Sequence, residues 1–91
     1  MNKVIISGKI IDIYDMSNAV VLAKIHDIDN DNIFYAYWEN NRFTNIEDKF
    51  LKHRVTIQGT LEYIKVLLED NVNTRRLLAV FVEYLEFYEV D

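Results

Sequence analysis

The sequence has no cysteine and no proline, and its only glycines are Gly8 and Gly59. The lack of cysteine excludes disulfides and thiol chemistry, and it fits a reducing compartment. With so few glycines, each is expected at a special backbone position. Gly8 lies inside a strand-like pattern, which indicates a bulge or a sharp bend in that strand.

Long apolar runs are also missing. No run approaches the roughly 18 residues that a membrane span needs, and the short apolar segment before Lys9 is not a signal peptide. The sequence therefore predicts a soluble, cytoplasmic protein that does not contact a membrane.

Basic charge is scarce, because 10 lysines and arginines stand against 15 acidic residues and give a net charge of −5. A protein that binds nucleic acid by bulk electrostatics is usually strongly basic, so the composition counts against that class. A local basic groove remains compatible with it. About half of the 91 residues are hydrophobic, and this predicts one globular domain over residues 1–91.

Motifs for catalysis or metal binding are not found. The acidic segment 27–31 begins like a calcium-binding loop, but Asn32 stands where glycine is required and Trp38 where glutamate is required. His26 and His53 lack metal-ligand spacing, and there is no nucleophile elbow or phosphate-binding glycine loop. We therefore expect a protein that is not an enzyme and that carries no cofactor.

The segment Ile33–Trp38 places four aromatic residues within six positions. Aromatic and branched residues favour strands, and alternation puts Phe34 and Trp38 on one face and Tyr35 and Tyr37 on the other. One aromatic face can fill a core while the other stacks on unpaired bases. The alternative is that both faces are buried, in a small barrel or in an oligomer interface.

The same alternation predicts strands over 3–14, 19–27 and 55–67, whereas 77–88 fits a strand and a helical stripe equally well. Between strands, Thr44–Glu47 matches a helix capping box. A helix of about two turns is expected to follow it, ending in the basic residues Lys52, His53 and Arg54. Polar turns are expected at 15–18, 27–32 and 69–74. This order of elements is that of a five-stranded Greek-key barrel, the OB-fold.

Several segments resemble bacterial-type single-stranded DNA-binding proteins (SSB). They are Met1–Gly8, Ala36–Trp38, Phe50–Lys52, Val55–Leu61 with its Gly59 motif, and Thr74–Tyr88. The resemblance implies an OB-fold in which 77–88 is a strand. It also implies a homo-oligomer, a dimer or a tetramer, that binds single-stranded DNA without sequence preference in DNA replication, repair or recombination. RNA remains an alternative ligand.

Carried over residue by residue, the resemblance makes Trp38 a stacking residue, and Phe34 lies on the same face. The sequence departs from the family at Val66, where the family has an aromatic residue, and at 27–32, where another is missing. The family's acidic, proline-containing tip has no counterpart at Tyr88–Asp91. These departures imply weaker binding or a smaller DNA site.

Basic residues near the predicted face are candidate phosphate contacts, and each has a solvated surface role as its alternative. They are Lys9, Lys24, Arg42, Lys65, Arg75 and Arg76. Acidic residues at 27–31, 62, 69 and 70 would oppose a phosphate path if they share its face. A second function therefore stays open, namely an OB-fold module for protein interaction or assembly with little nucleic-acid binding.

Overall fold

The computed structural model describes residues 2–16, 20–40, 42–43, 53–67 and 73–89. These residues form an all-β structure with the strands β1 (Lys3–Met16), β2 (Val20–Asp27), β3 (Asn32–Glu39), β4 (His53–Leu67) and β5 (Thr74–Glu89). The strands close into one ring in the order β1-β2-β3-β5-β4. The contact of β3 with β5 is parallel, and the other contacts are antiparallel. The predicted all-β class is confirmed, and the ambiguous segment 77–88 lies within β5.

The predicted helix after Thr44 lies outside the described residues up to position 52. The prediction that His53 and Arg54 end this helix is wrong, because both are the first residues of β4. They pair with Glu89 and Tyr88 of β5. The strand predicted from Val55 therefore begins two residues earlier, because the end of β5 extends far enough to pair with these two residues. No described residue belongs to a helix that could cross a membrane.

β1 closes the ring by pairing with two neighbours in succession. Its first part, from Lys3 to Gly8, pairs with β4, and from Lys9 onward it pairs with β2. A Cβ atom on Gly8 would lie 2.5 Å from the carbonyl oxygen of His26. Glycine is therefore needed here because strands approach closely, and no described glycine has a positive φ.

Gly59 lies at the irregularity where the pairing of β4 with β5 shifts register. Gln58 pairs with Tyr84 and Gly59 with Val82, which leaves Glu83 as the extra residue of a bulge. A Cβ atom on Gly59 would overlap the backbone carbonyl of Phe81. Both glycines thus occupy special positions, as the sequence predicts.

The turn between β2 and β3 is built from its own acidic residues. The Asp27 carboxylate accepts hydrogen bonds from the backbone N–H of Asp29 at 3.2 Å and from the Asn30 side chain at 2.9 Å. The Asn30 bond is the main cause that lowers the pKa of Asp27. Asp31 adopts a left-handed φ of 51°, which aspartate tolerates better than most residues. The predicted polar turn is confirmed as a solvated hairpin.

Inward-facing apolar residues fill the ring. On β2 and β3 the inner face holds Ala23 and Ile25 beside Ala36 and Trp38, as the register requires. The other strands complete this core with Ile10, Val55, Ile57, Val80 and Val82. Lys24 and His26 face outward, as alternation predicts.

The hairpin of β4 and β5 continues beyond the end of the ring. β1 begins opposite Thr60, and the contact of β3 with β5 begins at Val80. Among the described residues, positions 62–67 and 74–79 therefore pair only with each other; we refer to them as the projecting hairpin. It contributes to a long molecular axis of 44 Å, against 28 and 23 Å for the other two.

Candidate functional site

Trp38 does not lie on the surface. Its side chain is 2% exposed, and its ring meets Phe43 edge-on at a centroid distance of 5.8 Å. The prediction that the Trp38 indole faces outward is wrong, because Phe34, Ala36 and Trp38 form the inner face of β3. Phe34 is half-buried and packs against the same core. Neither residue presents an open ring to a base.

The outer surface of the ring carries the other aromatic residues of this region. Tyr14 of β1, Leu22 of β2 and Tyr37 of β3 lie in register across three strands, and Tyr37 packs against Phe81 of β5 at 5.3 Å between centroids. We call this surface, together with Asp12, Lys24 and Tyr35 in the next row, the ring face. Leu22 lies on it and is still only 5% exposed. The neighbouring aromatic rings of this face therefore shield Leu22 from solvent.

Acidic groups accompany these aromatic rings. The Tyr37 hydroxyl donates a hydrogen bond to Glu62, and burial, followed by this bond, raises the pKa of Tyr37 to about 12. The Tyr14 hydroxyl donates to Asp12 at 3.3 Å, and burial is the first cause of its raised pKa. The ring face is thus aromatic, hydroxyl-bearing and partly anionic.

Lys9 and Lys24, predicted as phosphate contacts, are half-buried on the outer surface of the ring. Lys24 lies in register between Asp12 and Tyr35, and Lys9 lies opposite His26. His26 in turn contacts the Asp31 carboxylate at 2.9 Å. Lys24 therefore has a carboxylate in register with it, and His26, opposite Lys9, contacts another, so no continuous basic path crosses the described parts of these strands.

Arg42 lies elsewhere, next to the bulge of β5. Its guanidinium donates to the backbone carbonyl of Glu83 at 2.9 Å and lies 5.4 Å from the Phe43 ring centroid. The Glu83 carboxylate accepts hydrogen bonds from Lys3 and, at 2.8 Å, from Thr60. These two bonds, that from Lys3 first, lower the pKa of Glu83. Arg42 thus joins a structural cluster and does not join the other candidates.

The projecting hairpin brings two of the predicted cations together. Lys65 of β4 and Arg76 of β5 are direct cross-strand partners, and the neighbouring pair on the same face is Tyr63 with Leu78. The Arg76 guanidinium lies 4.6 Å from the centre of the Tyr63 ring, within the range of a cation–π contact. We call these four residues the hairpin face.

The hairpin face is exposed, and one of its two cross-strand pairs opposes like charges. Tyr63 is 65% exposed and Leu78 45%. Like charges directly opposite each other destabilise a sheet, and no carboxylate among the described residues forms an ion pair with Lys65 or Arg76. A two-stranded ribbon is at best marginally stable in water. An anionic group bound between the two cations would remove their repulsion.

Arg75 lies on the opposite face of the hairpin, because it pairs with Val66 and follows the other parity. The adjacent arginines Arg75 and Arg76 therefore do not act on one ligand from the same side. The sequence pattern does not distinguish Tyr63 from a core residue, because Tyr63 alternates in step with the inward-facing Ile57 and Leu61. Only the positions where the pairing of β1 with β4 and of β3 with β5 ends show that the side chain of Tyr63 is outside the core.

Metal ligation finds no support in the described part of the chain, where no group of three or more candidate ligands converges. The sequence was also compared with known proteins. No family model matches it, and no curated protein matches it. The geometry of the ring and of the projecting hairpin must therefore carry the functional argument.

Proposed function

We propose that this protein binds single-stranded DNA, without sequence preference, through the hairpin face. The observation that carries the proposal is the exposed Tyr63 ring beside the cross-strand pair Lys65 and Arg76. Proteins that bind unpaired strands combine aromatic rings on which bases stack with cations that contact the backbone. The hairpin face has both, and none of its four residues belongs to the buried core.

The strand order supports the finer fold assignment that goes with this function. A five-stranded ring in the order β1-β2-β3-β5-β4 is the arrangement we expect of an OB-fold. OB-folds bind oligonucleotides on the face of strands 2 and 3 and at the loop between strands 4 and 5. On the strands that flank the second of these regions, Lys65 and Arg76 are cross-strand partners, whereas the loop itself carries Glu69 and Asp70. The resemblance to the SSB family therefore stays part of the proposal, with its stacking role moved from Trp38 to Tyr63.

The expected affinity is low. One stacked base contributes about 1–3 kcal/mol, and two cations add a contribution that salt screens. We therefore expect micromolar binding at most, at low ionic strength.

Fluorescence anisotropy of labelled oligo-dT at low salt tests the proposal. Tyr63→Leu removes the aromatic ring and keeps an apolar side chain, so we expect it to weaken binding about 5-fold or more. Tyr84→Leu is the matched control, because Tyr84 is a comparably exposed tyrosine, at 50%, on another face. Equal affinities for both variants, or no anisotropy change up to millimolar protein, would refute the proposal.

A second function, assembly with another copy of the chain, is favoured by a different surface. Ile5 of β1, Gln58 of β4 and Tyr84 of β5 lie in register, and Ile5 is 69% exposed. Two exposed apolar side chains, Ile5 and Tyr84, flank Gln58 on this surface, and Lys3 and Glu83, which pair with each other, lie beside it. Exposed apolar side chains in register favour a contact with another copy of the chain.

Light scattering on the wild type and on Ile5→Glu tests this second function. An oligomer that Ile5→Glu converts to a monomer would support it, and a wild-type monomer at all accessible concentrations would refute it. If Ile5→Glu leaves oligo-dT binding intact, the two functions lie on separate surfaces.

A further inference from the structure

We infer that the binding site on the hairpin accepts only a short single-stranded segment, of about two or three nucleotides, and that the ring face excludes the strand. The inference rests on the proposed function and names its ligand class more closely: the unpaired ends, gaps and small loops of a nucleic acid, as opposed to long strands that wrap around the protein.

The dimensions of the hairpin face give the first argument. Tyr63 and Lys65 are two positions apart on one strand, which is about 7 Å. Lys65 and Arg76 are cross-strand partners, so their Cβ atoms lie about 5 Å apart. The face thus offers one ring for one base and one pair of cations for an adjoining phosphate. The partner of Tyr63 is Leu78, so this face has no second aromatic residue among the described positions.

The charges of the ring face give the second argument. The ring face is continuous with the opposite face of the projecting hairpin, because Glu62 and Phe81 have the other parity from Tyr63 and Lys65. A strand bound at the hairpin face would have to turn around the hairpin and then pass Glu62 beside Tyr37 and Asp12 beside Lys24. These carboxylates would repel the phosphates of a strand lying over them, and this repulsion is only weakly screened at low salt. The net charge of −5 for the whole chain adds to this repulsion. The favourable contacts are therefore confined to the hairpin.

The aromatic side chains of the ring face give the third argument. Tyr37 is engaged with Phe81 at 5.3 Å between centroids and with Glu62 through its hydroxyl. Leu22 beneath this layer is almost fully buried. Intercalating or stacking a base here would uncover Leu22 or break these contacts. Tyr63, in contrast, is 65% exposed, so a base can stack on its ring beside Arg76 without uncovering a buried residue.

A length series of labelled oligo-dT, from about two to about thirty nucleotides, tests the inference. We expect the dissociation constant to fall with oligonucleotide length up to about three nucleotides. Beyond that length, affinity should rise only in proportion to the number of overlapping sites on the oligonucleotide. With two cations the log–log salt slope should be about −1.4, at about 0.7 per contact for single strands. Lys24→Ala should bind every length as the wild type does, whereas Lys65→Ala should weaken binding at every length.

Ile5→Glu is measured in parallel, because in an oligomer two hairpins could bind one long oligonucleotide together and so raise its apparent affinity. The inference is overturned if the affinity of that variant for long oligo-dT exceeds, by more than about tenfold, the value expected from the number of overlapping sites. It is also overturned by a salt slope steeper than about −3, or by weaker binding of long oligo-dT to Lys24→Ala. In each of these cases a loss of affinity in Tyr63→Leu would leave the proposed function standing. Binding at no length would refute both.

Discussion

The Trp38 indole packs edge-on against Phe43 and belongs to the apolar interior. Alternation correctly divides Ile33–Trp38 into two sets, but rings occur in both, so parity alone does not say which set faces inward. A chemical signal was available. Tyr35 and Tyr37 each carry a hydroxyl group that needs polar partners, whereas Phe34 and Ala36 carry no polar side-chain atom and Trp38 carries only its indole N–H. The set with the hydroxyl groups is the outer one.

Trp38→Ala is expected to lower the free energy of unfolding by about 3–5 kcal/mol, the usual cost of removing a large buried aromatic side chain. Urea denaturation followed by circular dichroism measures the change. In the wild type, the tryptophan emission should be blue-shifted, insensitive to iodide and unchanged by saturating oligo-dT. Quenching by oligo-dT would mean that the indole reaches the ligand, which contradicts its burial.

The Glu83 carboxylate gives a prediction on pH. Its pKa is lowered from 4.5 by the hydrogen bonds from Lys3 and Thr60. A carboxyl group with a lowered pKa stabilises the folded state above its unfolded pKa, and this contribution is lost as the pH falls through the folded value. Wild type should therefore be more stable than Glu83→Gln at pH 7, and the difference should shrink below about pH 4.5. Urea denaturation across this range measures it; a difference that is constant with pH would contradict the assignment.

At the scale of elements, the projecting hairpin combines exposed apolar side chains with a repulsive cross-strand pair. The strand pattern of 55–67 is visible in the sequence, and so is the common parity of Tyr63 and Lys65. The sequence does not show where the neighbouring strands end. β1 begins opposite Thr60, and β3 first pairs with β5 at Val80. Beyond these two positions no neighbouring strand covers the hairpin, so the side chains that would face the core are exposed.

Lys65→Glu should separate stability from binding. It replaces a like-charge pair with an opposite-charge pair across from Arg76, so we expect the free energy of unfolding to rise by about 0.2–1 kcal/mol. Binding of oligo-dT should be lost, because the new carboxylate repels phosphate. Lys65→Gln is the control: it removes the repulsion without adding an acid, and it should weaken binding less. A destabilised Lys65→Glu would show that Lys65 has a favourable partner in the fold.

Gly59→Ala is expected to disrupt the pairing of β4 with β5. The new Cβ would overlap the Phe81 carbonyl, and a backbone atom cannot move aside as a flexible side chain can. We expect destabilisation above about 2 kcal/mol, as for other overpacked interiors. Amide hydrogen exchange at Val80–Val82 should rise with it. Gln58→Ala, the preceding residue in the chain, is the control, because its exposed side chain is shortened and no atom is added near that carbonyl.

At the scale of the whole molecule, charge and ligand shape act together. The body of the protein is acidic, and the candidate site is small and depends on an accessible base. A duplex presents phosphates but hides the faces of its bases. The net charge, which the sequence gives, thus argues against bulk electrostatic binding. That Lys65 and Arg76 lie opposite each other on the hairpin can be seen only in the structure.

We therefore expect duplex DNA to bind more weakly than oligo-dT of equal length. The loss of one stacking contact, about 1–3 kcal/mol, corresponds to a factor of about 5 to 150. Competition of unlabelled duplex against labelled oligo-dT, at fixed salt, measures this factor. Equal competition per phosphate would indicate that charge alone holds the ligand.

The N-terminal half of β1 should protect the protein from aggregation, because its pairing with β4 closes the ring. If residues 3–8 detach from β4, the ring opens into a sheet with two unpaired edges, and such edges recruit strands from other chains. The contact of Lys3 with Glu83 and the hydrogen bond from the Leu61 N–H to the Asn2 carbonyl, at 2.8 Å, fasten this segment at its tip. We therefore expect Asn2 and Lys3 to hinder strand exchange between molecules, and deleting them should favour aggregation before it lowers the content of β-structure.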